Sequence, residues 1–259
     1  MKISYSIVLY NNTKNQIRRL YKNILEETPK NMEYELYFID NSTNKTETKE
    51  VLKSIRTNDR NVHVLFTVNN IGFGAGHNLA IKRVNSDYHI IVNPDIRIPT
   101  GGQITKIILH MNQKKIVLVS PLIKFPNGKV QALVKRTPTV LDLLIRFIGG
   151  EMFKKRQDWF TYQPDGYEFE HIANNFPGSF LVFRTDILKR IGGFDERYFL
   201  YMEDSDISRS MAKHGKAVFY PDAYVYHEWQ RENKKTLRGI VRMSVSVVKY
   251  FNKWGWKFW

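Results

Sequence analysis

The strongest constraint on the fold is an alternation within the first 120 residues. Apolar runs of strand character at 3–10, 34–39, 62–67, 89–92 and 116–120 are separated by polar or helix-period segments. Strands joined through helices imply βαβ crossovers. The sequence therefore predicts an α/β fold with a Rossmann-like, mainly parallel sheet flanked by helices. Ligands of such sheets bind at the carboxyl ends of the strands. The residues expected there are polar and turn-forming: Tyr10-Asn11-Asn12, Asp40-Asn41-Ser42, Asn69-Asn70-Ile71-Gly72 and Asn93-Pro94-Asp95.

Beyond residue 120 the pattern changes. Phe125-Pro126-Asn127-Gly128-Lys129 predicts a hairpin turn. A helix is expected over 139–148, a charged aromatic loop over 151–167, and a strand over 178–183. A short helix ending at Gly192-Gly193 follows, then a helix over 204–214 and strands near 218–220 and 224–227. No repeat or low-complexity linker divides the chain, so the second half is expected to complete one domain.

Composition removes several classes. With 42% hydrophobic residues the chain can bury a large core, which excludes a disordered basic tail. The absence of cysteine excludes a disulfide scaffold, a cysteine nucleophile and a thiolate zinc site. The apolar run at 3–10 is too short for a signal peptide. The stretch 140–148 is interrupted by Asp142 and Arg146 and falls short of the roughly 20 residues that span a bilayer. A soluble or peripheral protein is expected. The 40 Lys and Arg against 25 Asp and Glu give +15, and the excess lies in two blocks. Residues 96–156 hold twelve basic residues against Asp142 and Glu151, and residues 231–259 hold eight against Glu232. Such charge attracts nucleic acid, anionic lipid or phosphorylated small molecules. A non-catalytic nucleic-acid-binding protein is thus a competing class, although no nucleic-acid-binding motif is present. A nucleotidyltransferase would need a basic, glycine-rich N-terminal signature that is missing here.

The groups able to carry chemistry are few. Asp40, just past a strand, either caps the next helix or accepts hydrogen bonds from a ribose or base. Asp95 is a hard carboxylate at a sheet edge, suited to Mg²⁺ or Mn²⁺. Glu203, Asp204 and Asp206 begin a helix after the apolar Tyr198-Phe199-Leu200-Tyr201-Met202. They either complement the helix dipole or include a partly desolvated general base. His227 ends a strand. The loop from Asn70 to Asn78 has dinucleotide-like glycines, but His77 stands where the third glycine would fall and the loop follows the third strand. Its glycines are expected to let backbone approach a ligand closely.

Taken in order, Val8-Leu9-Tyr10-Asn11, Ile39-Asp40-Asn41-Ser42, Asn70 through Asn78, Val92-Asn93-Pro94-Asp95, Gly178-Ser179-Phe180, Gly192-Gly193-Phe194-Asp195-Glu196, Tyr201 through Asp206 and His227 form a series. The series resembles family 2 glycosyltransferases of the GT-A fold, especially the bacterial rhamnosyltransferase-like branch. The resemblance implies a sugar-nucleotide donor, a divalent metal (Mg²⁺ or Mn²⁺) and inversion at the anomeric carbon. It implies a catalytic domain over 1–230, with 1–120 binding the nucleotide sugar and 121–230 on the acceptor side. Asp204, with Glu203 beside it, matches the pair that supplies the base, and spacing does not decide between them. The implied donor set is Tyr10, Asn11, Asp40, Asn41, Gly72, Asn78, Asn93, Asp95 and Arg231, the last for the diphosphate. Asp95 and His227 are the implied metal ligands, with Asn93 in place of the first acid of D-x-D. Gly178, Ser179 and Asp206 fall on the acceptor side. The branch implies L-rhamnose from dTDP-rhamnose, with UDP-hexose, UDP-N-acetylhexosamine and UDP-galactofuranose as alternatives. The implied acceptor is a surface polysaccharide or a lipid-linked oligosaccharide.

The segment 231–259 is expected to form an amphipathic helix with Leu237, Ile240, Val241, Ser244, Val248 and Phe251 on one stripe. That stripe either packs on the domain or lies in the lipid headgroup layer, where the tryptophans of Trp254-Gly255-Trp256-Lys257-Phe258-Trp259 are favoured. The second alternative predicts a peripheral protein on the cytoplasmic face of an anionic membrane.

Overall fold

A computed structural model of the chain describes residues 1–42, 46–148, 153–228 and 237–259. Strands β1 (Lys2–Leu9), β2 (Glu33–Asp40), β3 (Val62–Phe66) and β4 (Tyr88–Val92) run parallel in the order β3-β2-β1-β4. Helices α1 (Lys14–Glu27), α2 (Thr46–Asn58) and α3 (Phe73–Ile81) connect them. A two-residue strand, β5 (Ile96–Arg97), and helix α4 (Gln103–Lys114) lead to β6 (Ile116–Lys124). The predicted alternation is thus observed, and its cause is visible in β4. Tyr88, Ile90 and Val92 point into a core with α1, α2 and α4, whereas Ile91 points to the opposite core.

The second half inserts into the same sheet. After α5 (Val140–Ile148), α6 (Lys154–Phe160) and β7 (His171–Ile172), strand β8 (Phe180–Arg184) lies antiparallel between β4 and β6. Helix α7 (Thr185–Arg190) and helix α8 (Glu203–Ala212) follow, then β9 (Lys216–His227), parallel to β6 and antiparallel to β5 and β7. The Asn-Gly turn is present, with Phe125 N–H donating to the Lys129 carbonyl.

Three expectations are corrected. The two strands near 218–220 and 224–227 are one strand, β9, whose register against β6 shifts between Pro121 and Leu122; Pro221-Asp222 sits at that irregularity and reads as a turn in sequence. Residues 151–167 are not all loop. The described part holds α6, tied by Lys154 to Asp158 and by Arg156 to the buried Asp142 of α5, and seven residues are too few to display a period. Helix α9 (Leu237–Trp254) buries Ser246, Tyr250 and Phe251, whereas Val241, Ser244 and Val248 of the expected stripe are exposed. The buried face is set by Trp254 and Lys253, which both bind Asp206.

Polar residues of β1 seat α3 over the sheet. Ser4 and Ser6 lie opposite the apolar face of β1, and the chain Ser4–His89–Ser6–His77 is joined by contacts of 2.7, 2.8 and 2.6 Å. Burial pushes His89 down to about 3 and His77 well below the usual imidazole value, so both rings are neutral; His89 bridges Ser4 and Ser6, and His77 is held by Ser6 through Nδ1. This fixes the start of α3, and with it the Gly72 loop, over the carboxyl end of β1.

Candidate active site

The strand ends, the turn before β8 and the first turn of α8 all meet at one edge of the sheet. Asp40 closes β2 and is buried; its Oδ1 accepts the Ser42 N–H at 2.9 Å, and its Oδ2 has no protein partner. Asn93 follows β4, donates its backbone N–H to the Ser179 carbonyl at 2.8 Å, and leaves its buried Oδ1 unpartnered. Ser179 Oγ and Glu203 Oε2 are likewise buried and unpartnered. Buried polar atoms are ordinarily satisfied. Four oxygens along this edge thus have no protein partner among the described residues.

Asp95 and His227, 132 positions apart, are brought together because β5 pairs with the end of β9. His227 Nε2 lies 3.3 Å from Asp95 Oδ1, and Glu228 N–H donates to the Asp95 carbonyl. Gln131 holds the imidazole from behind, with Nδ1 3.1 Å from Gln131 Oε1 and the Gln131 amide donating to the His227 carbonyl. A carboxylate and an imidazole suit a divalent cation that takes its remaining ligands from phosphate oxygens. Among the described residues no cluster of three or more acidic, histidine or cysteine side chains is present.

Glu203 and Asp204 differ in surroundings. Glu203 is buried, while Asp204 is partly open, with Oδ2 3.4 Å from the Gly178 N–H and Oδ1 2.7 Å from the Ser205 N–H. A side chain on Gly178 would press on the Asp204 Cβ. Burial, and then the adjacent Asp204 carboxylate, push Glu203 well above the ordinary carboxylate range. The folded chain therefore keeps a proton that the unfolded chain has already lost. That contribution to stability is complete below the ordinary range and falls as pH rises through the raised value. Glu203→Gln has no such proton to lose. Its melting temperature should match wild type near about pH 4 and exceed it by a few degrees near about pH 9; parallel pH curves for the two proteins would refute this.

Other expected donor residues turn inward. Asn41 is buried and braces the neighbouring loop, donating to the Gly72 carbonyl and accepting from Thr67. Asn78 is buried with its amide bound to the Phe194 backbone and Glu196, so it holds α3 to the 192–196 segment. The glycines of the 70–78 loop accommodate the protein itself. Gly72, at φ +95°, lies where a Cβ would run into the Phe199 carbonyl oxygen, and Gly74 lies against the Phe194 side chain. The first N–H of α3, from Phe73, is taken by that same carbonyl. Asp206 spends both oxygens on Lys253 and Trp254 and anchors α9 to α8. Tyr10 is exposed at the edge, and the Asn11 N–H binds Ser42 Oγ. Arg231 lies outside the described residues.

Two residues at the site gave little sign in sequence. Gln131 follows the Asn-Gly turn without any motif. Arg146, which interrupts the apolar α5, lies within electrostatic reach of Asp204; a charge breaking an apolar run was its only trace.

A large, mainly parallel sheet flanked by helices is the architecture of the GT-A glycosyltransferases. GalNAc-T7, solved with UDP, GalNAc and Mn²⁺, superposes with a TM-score of 0.73 over 96% of this chain and 47% of its own, at 16% identity. The chain belongs to glycosyl transferase family 2, whose family model matches residues 4–192. It is 30% identical over 181 residues to N-acetylglucosaminyl-diphospho-decaprenol L-rhamnosyltransferase of Mycobacterium tuberculosis. That match covers 64% of this chain and 59% of the relative's length. It is 24% identical over 206 residues to rhamnosyltransferase WbbL of Escherichia coli K12, covering 70% of this chain and 75% of that protein.

Proposed function

We propose that the protein transfers L-rhamnose from dTDP-rhamnose, with inversion, to a hydroxyl of a lipid-linked oligosaccharide at the cytoplasmic face of an anionic membrane. The observation that carries the reading is the row of unpartnered buried oxygens on Asp40, Asn93, Ser179 and Glu203 beside the Asp95–His227 pair. Support for the sugar comes from two relatives that are named rhamnosyltransferases. Support for the acceptor comes from the diphospho-decaprenol in one of those names.

Asp40 accepts hydrogen bonds from the nucleoside, and Tyr10 and Asn11 flank it. Asp204 takes the proton from the acceptor hydroxyl as its oxygen bonds to the anomeric carbon; the bond from that carbon to the nucleoside diphosphate breaks, with the electron pair leaving on phosphate. Glu203, holding its proton, limits negative charge beside the base. Gly178 and Ser179 line the acceptor approach to Asp204. Asp95 and His227 would hold a divalent cation, Mg²⁺ or Mn²⁺, which when bound neutralises charge on the departing diphosphate.

The test is a nucleotide-release screen with purified protein, dTDP-rhamnose and a panel of UDP-sugars, with and without chelator. Release is expected from dTDP-rhamnose in the presence of metal. If no sugar nucleotide binds or turns over, while nucleic acid binds with a steep salt dependence, the enzyme reading fails.

A further inference from the structure

Helix α9 has two apolar faces, and the domain uses one. On its inner side Tyr250 and Phe251 pack with Tyr198 and Met202, joined by Val140 and Leu143 of α5. On the opposite side Val241, Val245 and Val248, spaced i, i+4, i+7, are 45–55% exposed. A helix that only packs on a domain presents polar residues there. The tail extends this outer surface. Val140 and Leu141 N–H groups donate to the Lys257 and Phe258 carbonyls at 2.8 and 3.0 Å, so the tail is held along the start of α5. Trp256, Phe258 and Trp259 are thereby presented at 47%, 56% and 87% exposure. Leu141 and Leu144 of α5 are exposed beside that anchorage.

Charge selects the occupant. Residues 237–259 carry five Lys or Arg and no acidic residue; Lys253 is paired with Asp195 and Asp206 and Lys249 donates to the Arg197 carbonyl, while Arg242 and Lys257 are exposed. Two copies meeting through this face would do so symmetrically and set like charges together. An anionic bilayer complements the basic residues, while Trp and Phe favour its headgroup layer. We infer that the outer face of α9, the tail and the start of α5 form one docking surface for an anionic lipid bilayer. This rests on the proposed function and specifies which surface meets the membrane. The docked face is joined to the site through a short segment. Ser246 Oγ donates to the Leu200 carbonyl, the Arg242 guanidinium lies 4.5 Å over the Phe199 ring, and Glu203 and Asp204 follow directly. Trp254 and Lys253 bind Asp206 in the first turn of the same helix. A bilayer held by α9 is thus at a fixed distance from the base.

The whole protein is floated with phosphatidylcholine vesicles containing or lacking phosphatidylglycerol. Binding is expected to the anionic vesicles and to weaken with salt. The double variant Val245→Asp/Val248→Asp, at two half-exposed positions on the outer side of α9, should reduce it by at least about tenfold. Trp259→Ala should reduce it severalfold. In both variants circular dichroism, melting temperature and nucleotide release with a water-soluble acceptor should stay at wild-type values. Absence of wild-type binding, or equal binding by the double variant, overturns the surface. So does a concentration-dependent dimer that the double variant abolishes, without vesicle binding. Donor turnover without vesicle binding removes the surface alone. Vesicle binding lost in the double variant, from a protein that binds no sugar nucleotide, supports the surface and removes the glycosyltransferase reading.

Discussion

Asp204→Asn is expected to lower kcat for sugar transfer by about 10²–10⁴-fold while donor affinity stays within about twofold. The amide has the shape of the carboxylate and can still accept the Ser205 N–H, so the first turn of α8 keeps its geometry. It cannot take a proton from an acceptor hydroxyl. Asp204 is only partly buried and Arg146 beside it is open to solvent, so the fold survives the loss of this carboxylate. Single-turnover transfer and isothermal titration with the sugar nucleotide separate the two quantities. The same pair of measurements on Glu203→Gln decides the question that the Glu-Asp spacing leaves open. A full loss of kcat there, with Asp204→Asn retaining activity, would move the base to Glu203. A loss of donor binding in Asp204→Asn would instead place Asp204 among the groups that hold the nucleotide. The Asp204 substitution also removes the like charge beside Glu203, so the Glu203 carboxyl should titrate closer to its ordinary range in that variant.

The sheet was legible because its information is local. Period-two apolar runs and the polar turns after them place Asp40, Asn93 and Asp95 at one edge without knowledge of any long-range contact. The pairing of Asp95 with His227 was legible only through resemblance, since the contact depends on β5 meeting β9 across 132 residues. What local patterns could not reveal is direction. Asn41 and Asn78 occupy positions expected for ligand contact but spend their amides on the protein, and Gly72 admits the Phe199 carbonyl where a ligand was expected. Burial of this kind depends on the 192–202 segment folding over α3, which no spacing encodes. The face of α9 failed for a related reason. Valines, aromatics and basic residues occur on several sides of that helix, and its orientation is decided by Asp206, whose acidity looked like a property of the site. Polar residues at a candidate edge thus divide into those with unspent oxygens and those already used; only the structure separates them.

Asp95→Ala is expected to abolish the metal-dependent part of donor binding and leave the fold intact. The Asp95 backbone carbonyl accepts the Glu228 N–H, and that bond is independent of the side chain. The neighbouring strand pair, Ile96 with His227 and Arg97 with Tyr226, is also independent of it. The His227 ring keeps its contact with Gln131, so the loss is confined to one carboxylate. A hard cation held by one carboxylate and one imidazole loses its only anionic protein ligand, and the diphosphate must then be bound by the remaining polar groups. Titration of wild type with sugar nucleotide should show affinity that falls about 10- to 100-fold on chelation. In Asp95→Ala the affinity should start near the chelated wild-type value and not respond to chelator, with the melting temperature of the metal-free protein within about 2 °C of wild type. A variant that keeps the full chelator response would assign the cation to other ligands. A variant that loses donor binding even relative to chelated wild type would mean that Asp95 meets the nucleotide directly, since removal of a metal ligand cannot cost more than removal of the metal.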